Sequence, residues 1–257
     1  MGTPPAAAGT AAWDRPVPAA VDAYWAAELA CDPAALAGPG AAVTVLAGAA
    51  AERQPYALAF RRPAMLLLAV PPGWRAAAAA WLAGRDPAGA FDPGRLAAAF
   101  GAAATEVVGP AYQGWVDAAG FRPAAEAGVR RLGDGDRAAL AELRRAAGET
   151  AWEHSALDPD EPPLFGRLEG ATLVAAGTLT GWGGAVAHVG ILTRPGHRGR
   201  GHGRAVVSAM TRAALAAGAV PHYQTLDANG PSLAVARALG YRRHASTLAV
   251  RLARPAP

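Results

Sequence analysis

A mixed α+β fold is what this sequence predicts, and three observations carry the prediction. Across residues 128–252, apolar runs of strand and helix period alternate in the order β-α-α-β-β-β-α-β-α-β. Within that stretch a strand-forming run leads through Arg198-Gly199-Arg200-Gly201-His202-Gly203 straight into a helix-forming one. Hydrophobic residues make up 52% of the 257, which is enough to bury a full core. Upstream, shorter strands and helices predict a smaller α/β domain.

The elements follow in order. Residues 1–17 are rich in Pro, Ala and Gly and predict a disordered N-terminus. Residues 21–29 predict a helix, with Val21, Tyr24, Trp25 and Leu29 on one face. Short strands are expected at 43–46, 56–60 and 65–70, punctuated by Pro and Gly, then helices at 74–82 and 95–100. Two further strands are expected at 106–108 and 113–116. Residues 120–123 read as a linker between an N-terminal domain, 18–122, and a second domain, 123–257.

The second domain opens with a strand at 128–132. Asp134 or Asp136 then caps a helix running through 147, with Leu140, Leu143 and Ala147 inward. Residues 149–157 form a short helix or loop carrying Trp152, Glu153 and His154. Runs at 163–168 and 171–180 make a hairpin around Glu169-Gly170. A strand at 184–193, the glycine loop and a helix over 203–217 closed by Gly218 come next. A strand at 220–226, a helix at 232–239 and a strand at 241–252 complete the domain.

The glycine loop is built for an anion. Its glycines let successive backbone N–H groups share one concavity, and the helix behind adds its unsatisfied N-terminal donors and the positive end of its dipole. A diphosphate suits such a site. A Walker A loop needs lysine, and the chain contains none, which excludes P-loop NTPase chemistry and any lysine Schiff base. The dinucleotide fingerprint needs Gly-x-Gly-x-x-Gly, and the last spacing here is wrong. The pattern that fits in register is Gln/Arg-x-x-Gly-x-Gly/Ala. Against it stand a flexible surface loop and an RGG-like RNA segment, but the loop is a single copy between two ordered elements.

Three separated motifs carry a family resemblance. Val189-Gly190-Ile191-Leu192-Thr193-Arg194-Pro195-Gly196-His197 runs into the loop. Asp227-Ala228-Asn229 follows, Asn229 lying 26 residues after Gly203 and being the chain's single asparagine. A helix-forming run from Ser232 then ends in Leu239-Gly240-Tyr241. Residues 124–257 thereby resemble the GNAT N-acetyltransferase superfamily. The resemblance implies a GNAT fold, a central, mixed, mostly antiparallel sheet flanked by helices. It also implies direct transfer of an acyl group from CoA to an amine, with acetyl-CoA as co-substrate. Backbone amides of Arg198, Gly199, Arg200, Gly201, His202 and Gly203 would hold the diphosphate, and the side chains of Arg198, Arg200 and Arg204 would add charge. Ile191, Leu192 and Thr193 would pair with the pantetheine amides, and Asn229 and Ser232 would contact the CoA arm.

The acid and base are less regular. The family's frequent tyrosine acid falls here on Ala236, so water, Tyr223 or Tyr241 would have to replace it. Tyr241 sits in an aromatic core slot, which leaves Tyr223 or water. His188 is the first candidate base, because it lies two residues before Gly190 and an imidazole of ordinary pKa about 6.5 suits the task. Its competing reading is a structural histidine on a half-buried strand. Glu153 and His154 come next, with an exposed helix face as their competing reading. The resemblance places this segment at the acceptor pocket, which Trp152 and Trp182 would line unless they belong to the core.

Composition bounds the rest. A net charge of +4 suits an anionic cofactor without demanding nucleic acid. One cysteine, Cys31, excludes an intrachain disulfide and a cysteine metal cluster. The N-terminus lacks a signal-peptide pattern, and no stretch reads as a membrane span, so a cytoplasmic protein is expected. The expected activity is acetyl transfer from acetyl-CoA to a primary amine of a small molecule, with no metal. The alternatives are a non-catalytic acyl-CoA-binding sensor and a protein N-acetyltransferase. The N-terminal portion reads as a degenerate second GNAT copy, a cap or a dimerisation domain, and a homodimer is open to the chain.

Overall fold

A computed structural model describes residues 16–46, 56–161 and 163–253. The disordered N-terminus expected over 1–17 therefore lies almost wholly outside the described residues. Among the described residues ten strands form one sheet: β1 (Gly40–Val45), β2 (Tyr56–Arg62), β3 (Met65–Val70), β4 (Ala104–Trp115), β5 (Val129–Arg131), β6 (Leu164–Glu169), β7 (Thr172–Gly181), β8 (Val186–Thr193), β9 (Val220–Leu226) and β10 (Arg242–Leu252). Their order across the sheet is β1-β3-β2-β10-β4-β9-β8-β7-β6-β5. The β1–β3 and β8–β9 contacts are parallel and all the others antiparallel. This is the mixed, mostly antiparallel sheet expected of the fold.

Eight helices cover it: α1 (Ala19–Glu28), α2 (Arg75–Leu82), α3 (Pro87–Ala90), α4 (Pro93–Ala98), α5 (Arg137–Ala147), α6 (Glu149–Glu153), α7 (His202–Ala216) and α8 (Gly230–Ala238), among the described residues. None is long and apolar enough to cross a membrane. The period-2 alternation of β8 sorts them by face. Val186 packs with Trp25 of α1, and Leu192 with Leu140 and Trp152 of α5 and α6. Val189 and Ile191 pack instead with Val206 and Met210 of α7 and Leu233 of α8.

Strands from either side of residue 122 are interleaved. β10 lies between β2 and β4, and β4 lies between β10 and β9. Trp25 and Phe60 from the first half of the chain share one apolar cluster with Val186 and Ala245 from the second.

Two local expectations change. The strands expected at 106–108 and 113–116 are one twelve-residue strand, β4. Gly109 and Pro110 punctuate the sequence there, but β10 pairs along both sides of them and a register shift between Thr247 and Ala249 absorbs the irregularity. Only glycine suits position 109, where φ is +119° and an added Cβ would lie 2.7 Å from the Thr247 carbonyl oxygen. The second change concerns Asp136, which does not cap α5. Its carboxylate reaches back to accept the Gly133 N–H at 2.9 Å and the Arg130 guanidinium at 2.6 Å. That pairing holds its pKa down near 2. Leu140 and Leu143 point inward as expected, while Ala147 is half-buried.

Candidate active site

β8 and β9 part company. They pair in parallel over three rungs, Val186 with Val220, Ala187 with Pro221 and His188 with His222. Beyond the third, β8 continues to Thr193 and β9 to Leu226 without pairing with each other. The other edge of β8 stays bonded to β7 throughout, from Ala187 to Thr193. The fork therefore leaves the β9-facing amides of β8 free to pair with an extended ligand, as a missing strand would.

The fork opens towards the glycine loop. After a 3₁₀ turn at Pro195–His197, Gly199 and Gly201 take positive φ values of +77° and +82°. Gly201 occupies the N-cap of α7 with no side-chain cap, so the first-turn amides of this fifteen-residue helix remain free. Gly203 must be bare because a Cβ there would lie 2.8 Å from Thr193 Oγ1. Arg198, Arg200 and Arg204 are exposed, and among the described residues none of the three has a carboxylate partner. Arg194 differs, being paired at 2.7 Å with Glu142 of α5. The loop, its free amides and three arginines fit a diphosphate.

His202 offers its backbone rather than its ring. The imidazole is buried beneath the loop, with Nε2 3.4 Å from a Glu169 carboxylate oxygen. Burial lowers its pKa, against the pull of Glu169. Asn229 is the N-cap of α8, its Oδ1 accepting the Ser232 N–H at 3.2 Å. The Ser232 hydroxyl lies 2.9 Å from the Tyr223 hydroxyl. Tyr223, 1% exposed, sits on β9 one residue past the last shared rung and faces α7 and α8. Burial pushes its pKa up to about 12.

His188 stands at the apex of the fork on the opposite face. It is 8% exposed and stacked on Trp182, ring centroids 4.2 Å apart and planes at 11°. Burial lowers its pKa to about 4. Two residues along, a Cβ on Gly190 would lie 2.3 Å from the Ser155 carbonyl oxygen. The chain leaving α6 is thus seated directly on the fork strand. Glu153 and His154 themselves are exposed, and it is their neighbour Ser155 that reaches β8. Trp152 belongs to the core with Leu143 and Leu173, whereas Trp182 shields His188.

Residues 131–241 match the model of the acetyltransferase (GNAT) family. That stretch of the chain is similar to a GNAT acetyltransferase domain. No curated protein matches the chain in sequence. Among solved structures it is similar to a GNAT-family protein from Novosphingobium aromaticivorans, at 23% identity over 58% of this chain and 67% of that one, with a TM-score of 0.45. An acetyltransferase from the GNAT family of Colwellia psychrerythraea shows 16% identity over 58% of each chain and a TM-score of 0.47. A Salmonella typhimurium protein solved with acetyl-CoA shows 16% identity over 50% of this chain and 95% of that one, with a TM-score of 0.37. The chain thus spans 67% and 58% of the length of the first two.

Two buried residues at and behind the fork, His222 and His244, were not singled out by the sequence. His222 is fully buried at the last rung beside His188, and its Nε2 lies 3.2 Å from Nε2 of His244, also buried. His222 follows a proline in an apolar run, and His244 follows two arginines, so each reads locally as incidental. A polar residue set directly between Pro221 and Tyr223 in the apolar start of the strand is the signal that could have marked His222. Among the described residues no group of three or more His, Cys, Asp or Glu side chains is placed to hold a metal ion.

Proposed function

We propose that the protein is an acyl-CoA-dependent N-acyltransferase that moves acetyl from acetyl-CoA to a primary amine of a small molecule by direct attack. The observation that carries this reading is the continuity of the β8–β9 fork with the glycine and arginine loop at the start of α7. Acetyl-CoA supplies the activated thioester. The free amides at residues 199–203 bind its diphosphate, with Arg198, Arg200 and Arg204 adding charge. The fork-facing backbone groups of the Ile191, Leu192 and Thr193 stretch align the pantetheine arm, and Asn229 and Ser232 flank it from α8.

A ligand lying in the plane of the sheet, inside the fork, is flanked by His188 on one face and Tyr223 on the other. His188 is neutral at pH 7 because burial holds its pKa near 4, so a ring nitrogen is free to accept the amine proton. Tyr223 keeps its proton, with a pKa near 12, and can donate to the departing thiolate. Its ring belongs to the same buried cluster as Ala236. Ala236 also motivates the second reading, a non-catalytic acyl-CoA sensor.

Thiol release decides between them. Purified protein with acetyl-CoA and a panel of small amines, including an aminoglycoside, an amino acid, a polyamine and an aryl amine, is expected to release free thiol with at least one. Acetyl-CoA binding without thiol release from any of them, or from a peptide N-terminus, would establish the sensor instead.

A further inference from the structure

Behind His188, the apex of the fork is backed by two buried imidazoles, His222 and His244, that take no part in the proposed reaction. His188 and His222 are in register on neighbouring parallel strands, so their side chains leave the same face about 4.8 Å apart. Trp182 touches both, at 4.2 Å from His188 and 5.0 Å from His222 between ring centroids. His222 then bonds to His244 across the intervening strand β4. His244 reaches that far because the β10–β4 register shifts at this residue. Arg243 pairs with Gly114 and Ala245 with Gln113, which leaves His244 unpaired on the bulge. Bulges re-aim side chains in this way beside active sites.

The nitrogens are unevenly satisfied. Nδ1 of His188, of His222 and of His244 is buried with no hydrogen-bond partner, as is Nε1 of Trp25, whose ring lies 6.1 Å from His222 and 6.4 Å from His244. Buried polar atoms left in this state are rare. Three adjacent ones in a row, each able to donate or accept according to tautomer, point to a shared arrangement. The charged group acting on the far end is Arg62 of β2, which is itself paired with Asp22 of α1.

The tautomers are linked by necessity. A base working through Nε2 of His188 must carry its proton on Nδ1, and that N–H needs an acceptor. The next free nitrogen on the same face is Nδ1 of His222. If that atom is bare, His222 carries its proton on Nε2 and donates to His244, whose Nε2 must be bare and whose Nδ1 is protonated.

We propose that His222 and His244 are positioning residues, which align the three imidazoles in one direction and thereby leave Nε2 of His188 bare towards the fork. Neither Nδ1 has a protein partner, so one water bridges His188 and His222 in this arrangement. The proposal rests on the reading of His188 as the base. It adds no net proton movement. The amine proton goes to Nε2 of His188, the Nδ1–H bond to His222 stabilises the resulting imidazolium, and the proton leaves by the same nitrogen.

Long-range proton–nitrogen NMR of the full ¹⁵N-labelled chain at pH 7.5 tests it, with ring assignments from single histidine variants. The expected pattern is Nδ1–H for His188, Nε2–H for His222 and Nδ1–H for His244. His244→Phe should turn the His188 signals into those of mixed tautomers, and His244→Gln, which keeps an acceptor where Nε2 stood, should restore them. With the amine that releases thiol fastest, His244→Phe should lower kcat at least about tenfold at unchanged KM for acetyl-CoA, as loss of tautomer control does in other histidine bases. His222 found as the Nδ1–H tautomer, or a His188 spectrum indifferent to His244→Phe, would overturn the proposal. Should His244→Phe fail to fold, the wild-type spectrum decides. Turnover lost in His188→Asn but untouched in His244→Phe would refute the positioning role alone, whereas full turnover in His188→Asn would refute the base on which it rests.

Discussion

His188 shows how burial trades strength for readiness. Its pKa of about 4 makes it a weaker base than an exposed imidazole, yet leaves it unprotonated across the neutral range. kcat/KM should therefore stay flat between pH 8 and 6 as far as this group is concerned. An acid limb centred near 6.5 that disappears in His188→Asn would contradict the burial described here. The same substitution should lower kcat by about a hundredfold, within the usual range for a general base, and leave the acetyl-CoA KM within about twofold. Steady-state kinetics across pH measures both. At this scale the sequence was informative about single residues and silent about pairs. His188 could be singled out by its place before Gly190. The bond from His222 to His244 could not, because it crosses a third strand that is far away in sequence.

Elements depend on small residues where backbones meet. Gly190 lets the chain after α6 rest its Ser155 carbonyl on β8, and a Cβ would stand 2.3 Å from that oxygen. Since the obstacle is backbone, Gly190→Ala should destabilise by about 1–3 kcal/mol. A urea midpoint equal to that of the wild type would show that the segment moves aside freely. Elements of the second half were legible because each ends on its own punctuation, such as Gly170 at the β6–β7 turn and Gly218 after α7, with φ values of +58° and +75°. β4 was not, because Gly109-Pro110 reads as a break and only the partner strand β10 overrides it. Asp136 likewise has a capping residue's position, but Arg130 and Gly133 claim its carboxylate.

At the scale of the molecule, the sheet runs across the linker at 120–123. We infer that residues 123–257 do not fold alone, since without β4 nothing joins β9 to β10. Circular dichroism of that fragment should show no cooperative melt, and a cooperative, acetyl-CoA-binding fragment would restore the reading of an independent domain. Acid should loosen the whole. His188 has a folded pKa near 4, below its unfolded value of 6.5, so as pH falls the unfolded chain takes the proton first. Its contribution is fully present above about 6.5 and is lost on the way down to about 4, the loss reaching roughly 2 kcal/mol by pH 5. His222 and His244, held well below the ordinary imidazole range chiefly by burial, act in the same direction. The urea midpoint should drop clearly between pH 7.5 and 5, and an unchanged midpoint would mean that these rings already reach water.

Calorimetric titration of the full chain with acetyl-CoA tests the central claim most directly. The account predicts saturable binding at one site per chain in the wild type, weakened at least about tenfold in Gly201→Val, where φ of +82° opposes a β-branched residue and the loop amides would be displaced. No heat of binding with the wild type, or equal affinity in the variant, would contradict it.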